Sequence, residues 1–210
     1  MKVLAIASRK GGVGKTTFSG HLSVEASKAG YGTVALIDTD PQGSLSLWWN
    51  ERKSETPLFV TAVISNLAEQ LKELAKAGVD LVIIDTPPAV TKIIDQVLTV
   101  ADLVLIPTRP SPHDLRAIGS TVEMVEAHDK KMVFVINGAA ARAKITGEAA
   151  IALSQYGMVA PVTVFQRTDF ASSMISGLTA SEVNAGSKSA MEIAALWVYV
   201  EKQLRKIKSK

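Results

Sequence analysis

Seven short runs rich in β-branched and other apolar residues recur along the chain, and they restrict its fold more than any other feature. The runs are KVLAIAS (2–8), TVALIDTD (33–40), LFVTAVI (58–64), DLVIIDTPP (80–88), DLVLIPT (102–108), KMVFVIN (131–137) and MVAPVTVF (158–165). Several are apolar at consecutive positions, which is typical of strands covered on both faces. The intervening amphipathic segments, such as residues 17–30 and 65–78, end on glycines that suit helix C-termini. This alternation predicts an α/β fold with one doubly wound, mainly parallel sheet and helices on both faces.

The composition excludes several kinds of site. The 210 residues include no cysteine, which rules out disulfides, thiolate zinc sites and iron–sulfur clusters. No uncharged apolar run approaches the about 20 residues that a membrane span needs, and MKVLAIAS reads as a strand and not as a signal peptide. We therefore expect a cytoplasmic protein with a single domain over residues 1–210. Residues 50–57 and 138–147 are expected to be surface loops within that domain, not linkers between domains.

The segment SRKGGVGKTT (8–17) has the composition of a phosphate-binding loop. Its glycines let backbone amides turn towards an anion, and the helix that follows adds the positive end of its dipole. Lys15 would reach the β- and γ-phosphates of a nucleotide, and the Thr16 hydroxyl would ligate Mg²⁺. The usual pattern G-x-x-x-x-G-K-[ST] has its first glycine where this chain has Arg9. The segment also contains a second lysine, Lys10, which that pattern does not require.

Three aspartates follow predicted strands. Asp38 and Asp40 lie at the end of the second run, and Asp85 closes the fourth. Carboxylates at strand ends often serve as helix N-caps or turn residues, and this alternative applies to each of them singly. Three carboxylates at the strand edge that also carries a phosphate loop favour magnesium chemistry, because Mg²⁺ prefers hard oxygen ligands.

The motif KGGVGKTT (10–17) resembles the deviant Walker A motif of the ParA/MinD group of ATPases, and the likeness extends over nearly the whole chain. Residues 103–125 are similar to the corresponding segment of the small, ParF-like plasmid partition ATPases. The resemblance implies a P-loop NTPase fold of the SIMIBI type that binds ATP and Mg²⁺ and hydrolyses ATP slowly. It also implies that Lys10 reaches across a dimer interface to the phosphates held by the other subunit.

The resemblance assigns the remaining roles residue by residue. It makes Lys10, Lys15 and Asp40 catalytic, with Asp40 positioning the attacking water, and it places Mg²⁺ on Thr16, Asp38 and Asp85. Asn137 would bind the adenine, although Gly138 replaces the basic residue that usually follows, and Arg167 would lie beside the base or form a surface ion pair. The implied nucleotide contacts are Lys10, Gly11, Gly12, Val13, Gly14, Lys15, Thr16, Thr17, Asn137 and Arg167.

The implied function is that of a partition or positioning ATPase. ATP would drive formation of a homodimer, or of a higher-order polymer, that binds non-specific DNA on the nucleoid. A small DNA-binding adaptor of the ParB or ParG kind would then stimulate hydrolysis. We expect no N-terminal helix-turn-helix. The alternative is a MinD-like ATPase that cycles on the membrane and regulates division. The C-terminal segment (190–210) has an apolar stripe that predicts packing on the sheet. Its five basic residues among the last nine would suit DNA or anionic lipid. Lipid is the weaker option, because Ile207 is the only large apolar residue after Leu204.

Overall fold

The computed structural model describes residues 1–88 and 92–207 and contains a seven-stranded, all-parallel sheet. The strands are β1 (Lys2–Ile6), β2 (Val34–Asp38), β3 (Leu58–Phe59), β4 (Leu81–Asp85), β5 (Leu103–Thr108), β6 (Lys131–Ala139) and β7 (Met158–Phe165). Their order across the sheet is β3-β2-β4-β1-β5-β6-β7. The predicted doubly wound parallel sheet is confirmed.

Helices cover both faces of the sheet. They are α1 (Lys15–Lys28), α2 (Ser44–Asn50), α3 (Leu67–Lys76), α4 (Lys92–Val100), α5 (Pro112–Glu126), α6 (Lys144–Ser154), α7 (Thr168–Ile175), α8 (Ala180–Val183) and α9 (Lys188–Lys206). One apolar core lies between the sheet and helices α3 to α6, and the other lies between the sheet and helices α1, α2 and α7 to α9. Neighbouring residues of a central strand, such as Ile83 and Ile84, point into opposite cores and are both fully buried. This explains why the strand sequences are apolar at consecutive positions.

Two boundaries differ from the sequence predictions. The third strand was expected over residues 58–64, but β3 has two residues, because it lies at the sheet edge and pairs only with β2. The chain then enters a 3₁₀ turn at Ile64–Asn66. The loop expected over residues 138–147 is also shorter. Strand β6 continues to Ala139, which pairs with Phe165 of β7, and α6 already begins at Lys144.

The C-terminal helix packs on the sheet as predicted. Its apolar stripe consists of Ile193, Leu196, Trp197, Val200 and Leu204, each exposed by 1% or less. The last basic residues of the predicted tail, at 208–210, lie outside the described residues. Within residues 1–88 and 92–207, no helix combines the length and the apolar composition that crossing a bilayer requires.

Candidate nucleotide-binding site

An open cavity of about 440 Å³ lies at the carboxyl edge of the sheet, where β1 runs into α1. The strand register brings Ile6 of β1 and Asp38 of β2 level with Asp85 of β4. The phosphate loop and the acidic strand ends therefore meet at one edge, which is where open α/β sheets bind ligands. The cavity is lined by Gly11, Gly12, Gly14, Lys15, Thr16, Thr17, Asp40, Ser44, Pro88, Arg109, Asn137, Gly138, Phe165, Gln166, Arg167, Phe170 and Ala171.

The loop geometry explains its glycines. Gly14 has φ +100°, a backbone conformation that side chains disfavour. A Cβ added there would lie 2.4 Å from Nδ2 of Asn137. That amide donates a 2.7 Å hydrogen bond to the Val13 carbonyl, so β6 supports the loop from behind. Directly after the loop, α1 begins, and its first residues, Lys15, Thr16 and Thr17, line the cavity. The backbone amides at a helix N-terminus lack partners within the helix and suit an anion.

Lys15 is the cation at the centre of the loop. Its side chain is buried, and its ammonium donates a 3.3 Å hydrogen bond to the Lys10 carbonyl across the loop. Burial lowers the pKa of Lys15, while the nearby carboxylates of Asp85 and Asp40 act in the opposite direction. A bound polyphosphate would add negative charge beside this ammonium and favour its protonated form.

Thr16, which is half-buried, and the buried Asp85 form a hydrogen-bonded pair in the site. The Thr16 hydroxyl donates a 2.7 Å hydrogen bond to Oδ2 of Asp85, and Thr39 fixes the end of β4 by donating to the Asp85 carbonyl at 2.6 Å. Burial raises the pKa of Asp85 to about 7, although the hydrogen bond from Thr16 opposes this shift. The other oxygen of Asp85, Oδ1, is buried without a hydrogen-bond partner among the described residues.

This pair fits a divalent cation. An unsatisfied buried carboxylate oxygen beside a threonine hydroxyl is a hard-oxygen donor set, and a positive ion there would favour the ionised carboxylate. In the described part of the chain, this site included, no three His, Asp or Glu side chains cluster in a way that could hold a metal ion. Magnesium suits a site with few protein ligands, because it keeps several waters and takes phosphate oxygens.

Asp38 and Asp40 have different environments. Asp38 Oδ2 accepts 2.9 Å hydrogen bonds from both the backbone amide and the hydroxyl of Ser46, and Oδ1 accepts one from the Asp40 amide. Asp38 therefore stabilises the first turn of α2, as the capping alternative anticipated. Asp40 accepts a hydrogen bond from the Gln42 amide through Oδ1 and lines the cavity. Both metal ligation by Asp38 and water positioning by Asp40 stay predictions.

Lys10 lies outside the cavity lining. The residue is exposed, and its ammonium makes no hydrogen bond or ion pair with residues 1–88 or 92–207. The loop thus separates its two lysines: the Lys15 side chain lines the cavity, and the Lys10 side chain is exposed at the surface.

The side of the cavity near β6 and β7 holds the residues expected beside the base. Asn137 lines it, with its amide nitrogen already donating to Val13. Arg167 also lines it, but its guanidinium forms an ion pair with Glu192 at 2.5 Å. The ion-pair alternative for Arg167 is therefore what the structure contains. Whether Arg167 also contacts a base stays a prediction.

Sequence reasoning missed several lining residues, namely Ser44, Arg109, Phe165, Phe170 and Ala171. Arg109 follows β5 directly, and this position at the carboxyl edge of the sheet was the available signal. The aromatic residues carried no comparable signal, because apolar residues are common at the ends of strands and in helices.

A glycine-rich loop between a parallel strand and a helix, with a lysine and a threonine at the helix start, defines a P-loop nucleotide-binding domain. The sequence matches the CobQ/CobB/MinD/ParA nucleotide binding domain over residues 4–180. The chain belongs to this family.

Individual relatives agree with this assignment. The chain is 31% identical to maintenance of carboxysome distribution protein A of Halothiobacillus neapolitanus over 90% of this chain and 91% of that protein. It is 33% identical to protein ParA of Rhizobium radiobacter over 65% of this chain and 63% of that protein.

Solved structures share the fold. Apo McdA of Cyanothece superimposes with a TM-score of 0.80 at 20% identity, covering 96% of this chain and 99% of that one. The MinD protein of Pyrococcus horikoshii with Mg-ADP gives a TM-score of 0.81 at 18% identity, covering 100% and 99%. At these identities the structures confirm the fold.

Proposed function

We propose that the chain is a ParA-like ATPase that segregates DNA or positions another cellular cargo through an ATP-dependent dimer. The observation that carries the proposal is the separation of the two loop lysines. The Lys15 side chain lines the cavity, whereas the Lys10 side chain is exposed and its ammonium has no partner among the described residues. One relative named for chromosome partitioning and one named for carboxysome distribution support the same class of function.

In this proposal, Lys15 and the loop amides bind the phosphates of ATP, and Thr16 and Asp85 hold Mg²⁺ with water and phosphate oxygens as further ligands. Asp38 would take part through water, since its Oδ2 already accepts from Ser46 and its Oδ1 from the Asp40 amide. The bound cation would neutralise phosphate charge and favour attack at the γ-phosphate. Asp40, held by the Gln42 amide at the cavity wall, would orient the attacking water.

Lys10 would complete the site of a second subunit. Its ammonium would approach the phosphates held by that subunit, so that charge stabilisation in the transition state becomes complete only in the dimer. Hydrolysis would then be slow until the dimer forms, which suits a protein whose bound state acts as a timer.

The ATP-bound dimer would bind non-specific DNA on the nucleoid, and a small DNA-binding adaptor on the cargo would stimulate hydrolysis and release. Exposed basic residues available for DNA include Arg116, Arg142 and Lys144. MinD-like membrane cycling is the second candidate. It is less well supported, because α9 buries its apolar stripe in the core and Arg205 pairs with Glu201.

Co-sedimentation tests the proposal. The protein is incubated with linear DNA or with anionic vesicles, each with ATP, with ADP or without nucleotide. The proposal expects pelleting with DNA in ATP alone, and it expects Lys15→Ala to abolish the pelleting. Pelleting with vesicles and not with DNA would contradict it and would favour membrane cycling.

A further inference from the structure

Two guanidinium groups line the nucleotide cavity, and only one of them is neutralised. Arg167 donates to Glu192 through Nε at 3.0 Å and Nη2 at 2.5 Å. The Arg109 side chain has no hydrogen bond or ion pair in the described part of the chain. A cation that faces a cavity without an internal counter-charge is free to bind an anionic ligand.

The sheet order fixes where Arg109 lies relative to a bound nucleotide. Strand β5 lies between β1, which leads into the phosphate loop, and β6, which carries Asn137. Arg109 is the first residue after β5, whereas Asp40 lies across the loop, beyond β2. In the proposed site the phosphates would lie over the loop, with the γ-phosphate towards Asp40. Arg109 lies on the other side, between the loop and Asn137, where the α-phosphate of such a nucleotide would lie.

The backbone of Arg109 is restrained by its neighbours, whereas its side chain has no hydrogen bond or ion pair among the described residues. The Ser111 amide donates a 2.8 Å hydrogen bond to the Arg109 carbonyl, and Pro110 restricts the Arg109 backbone to extended conformations. Gly138 has φ +66°, and a Cβ there would lie 3.7 Å from Nε of Arg109. The aliphatic part of the Arg109 side chain thus packs against Gly138. A long side chain at position 138 would occupy the space that the Arg109 side chain fills.

We propose that Arg109 binds the α-phosphate of the nucleotide in this cavity. A guanidinium is suited to this role, because its planar fork donates two hydrogen bonds to one phosphate group and stays charged at all relevant pH values. The inference rests on the proposed nucleotide site. It assigns to the nucleotide a residue that would otherwise be one more basic group for DNA.

The test uses ADP, which does not require dimerisation. Isothermal titration measures binding of ADP, ATP and adenosine with Mg²⁺ to the wild-type protein and to Arg109→Gln. Since the contact is partly solvent-exposed, we expect an affinity loss of about five- to tenfold for both ADP and ATP. Adenosine binding should be unchanged. Arg109→Lys, which keeps the charge and loses the fork, should fall between Arg109→Gln and wild type.

Arg116→Gln is the matched control, since Arg116 is an exposed residue of α5 outside the cavity lining and the substitution removes the same charge. It should bind ADP like the wild type. Unchanged ADP affinity in Arg109→Gln overturns the inference, and so does a loss of the same size in both variants. A loss of DNA pelleting with unchanged ADP affinity would instead assign Arg109 to DNA. A failure of the proposed positioning function would be distinguishable from this result. In that case the wild-type protein would bind ADP but would not pellet with DNA in the presence of ATP.

Discussion

At the scale of single residues, the site contains one buried cation, Lys15, and one buried carboxylate, Asp85, which accepts a hydrogen bond from the Thr16 hydroxyl. Lys15 lies at the loop, and Asp85 closes the neighbouring strand with one oxygen unsatisfied among the described residues. Each is poised for a partner of opposite charge, a phosphate for Lys15 and a cation for Asp85. The sequence motif predicts both residues. It does not predict that Asp38, two residues before Asp40, is occupied by capping Ser46, because that depends on where α2 begins.

Substitution of Gly14 tests the loop geometry. Gly14→Ala places a methyl group 2.4 Å from Asn137 Nδ2 at a positive φ, whereas Gly12→Ala has a similar φ problem and nothing within 4 Å. We expect Gly12→Ala to cost about 1 kcal/mol of folding stability from backbone strain alone. Gly14→Ala should cost more and should weaken ADP binding, as measured by urea unfolding and titration. Equal effects of the two substitutions would show that the contact with Asn137 has no energetic weight.

Substitution of Asp40 separates binding from chemistry. The Asp40 side chain lines the cavity but is not part of the Thr16–Asp85 pair, so Asp40→Ala should bind ATP with near wild-type affinity. Its steady-state hydrolysis should fall at least tenfold, and the dimer should persist on DNA. Phosphate release with and without DNA measures this. Wild-type turnover in Asp40→Ala would remove the water-positioning role.

At the scale of elements, the loop helix α1 is tied to α8 through a buried histidine. His21 Nδ1 donates to the Thr17 carbonyl at 2.9 Å, and Nε2 accepts from the Ala180 amide at 3.1 Å. The bond from Ala180 requires the neutral ring, because a protonated Nε2 cannot accept it. Burial lowers the pKa of His21 to about 4, with Glu182 as the nearby carboxylate that opposes the shift.

This link predicts a pH-dependent stability. The unfolded chain binds a proton at His21 near pH 6.5 and the folded chain only near pH 4, so protonation favours unfolding between these values. The contribution of His21 to the free energy of unfolding should fall by up to about 1.4 kcal/mol per pH unit as the pH drops through this window, whereas the raised pKa of Asp85 acts in the opposite direction. Urea unfolding of His21→Gln should lack this contribution, while the exposed-site control His113→Gln should retain it. Parallel curves for wild type and His21→Gln would contradict the prediction.

The elements themselves were largely predictable, since strands buried on both faces and helices ending on glycine leave clear patterns. The exceptions have physical reasons. Strand β3 is short because it lies at the edge of the sheet and forms backbone hydrogen bonds with one strand, β2. The pairing of Arg167 with Glu192 joins residues 25 positions apart through the packing of α9 against β7. The place of Arg109 follows from the order of strands across the sheet, which local patterns do not encode.

At the scale of the whole molecule, the central claim is that Lys10 completes the site of a second subunit. According to this claim, the exposed Lys10 side chain takes part in ATP hydrolysis only when two subunits have formed a dimer. It predicts that Lys10→Ala binds ADP normally as a monomer but fails to double its mass with ATP and Mg²⁺ in light scattering.

Mixing two inactive variants tests this claim most directly. In a mixed dimer of Lys10→Ala and Asp40→Ala, the Lys10→Ala subunit keeps its own Asp40 and receives Lys10 from its neighbour, so one site is intact. The ATP hydrolysis rate of the mixture should clearly exceed the sum of the rates of the two variants measured alone. Hydrolysis equal to that sum would contradict it.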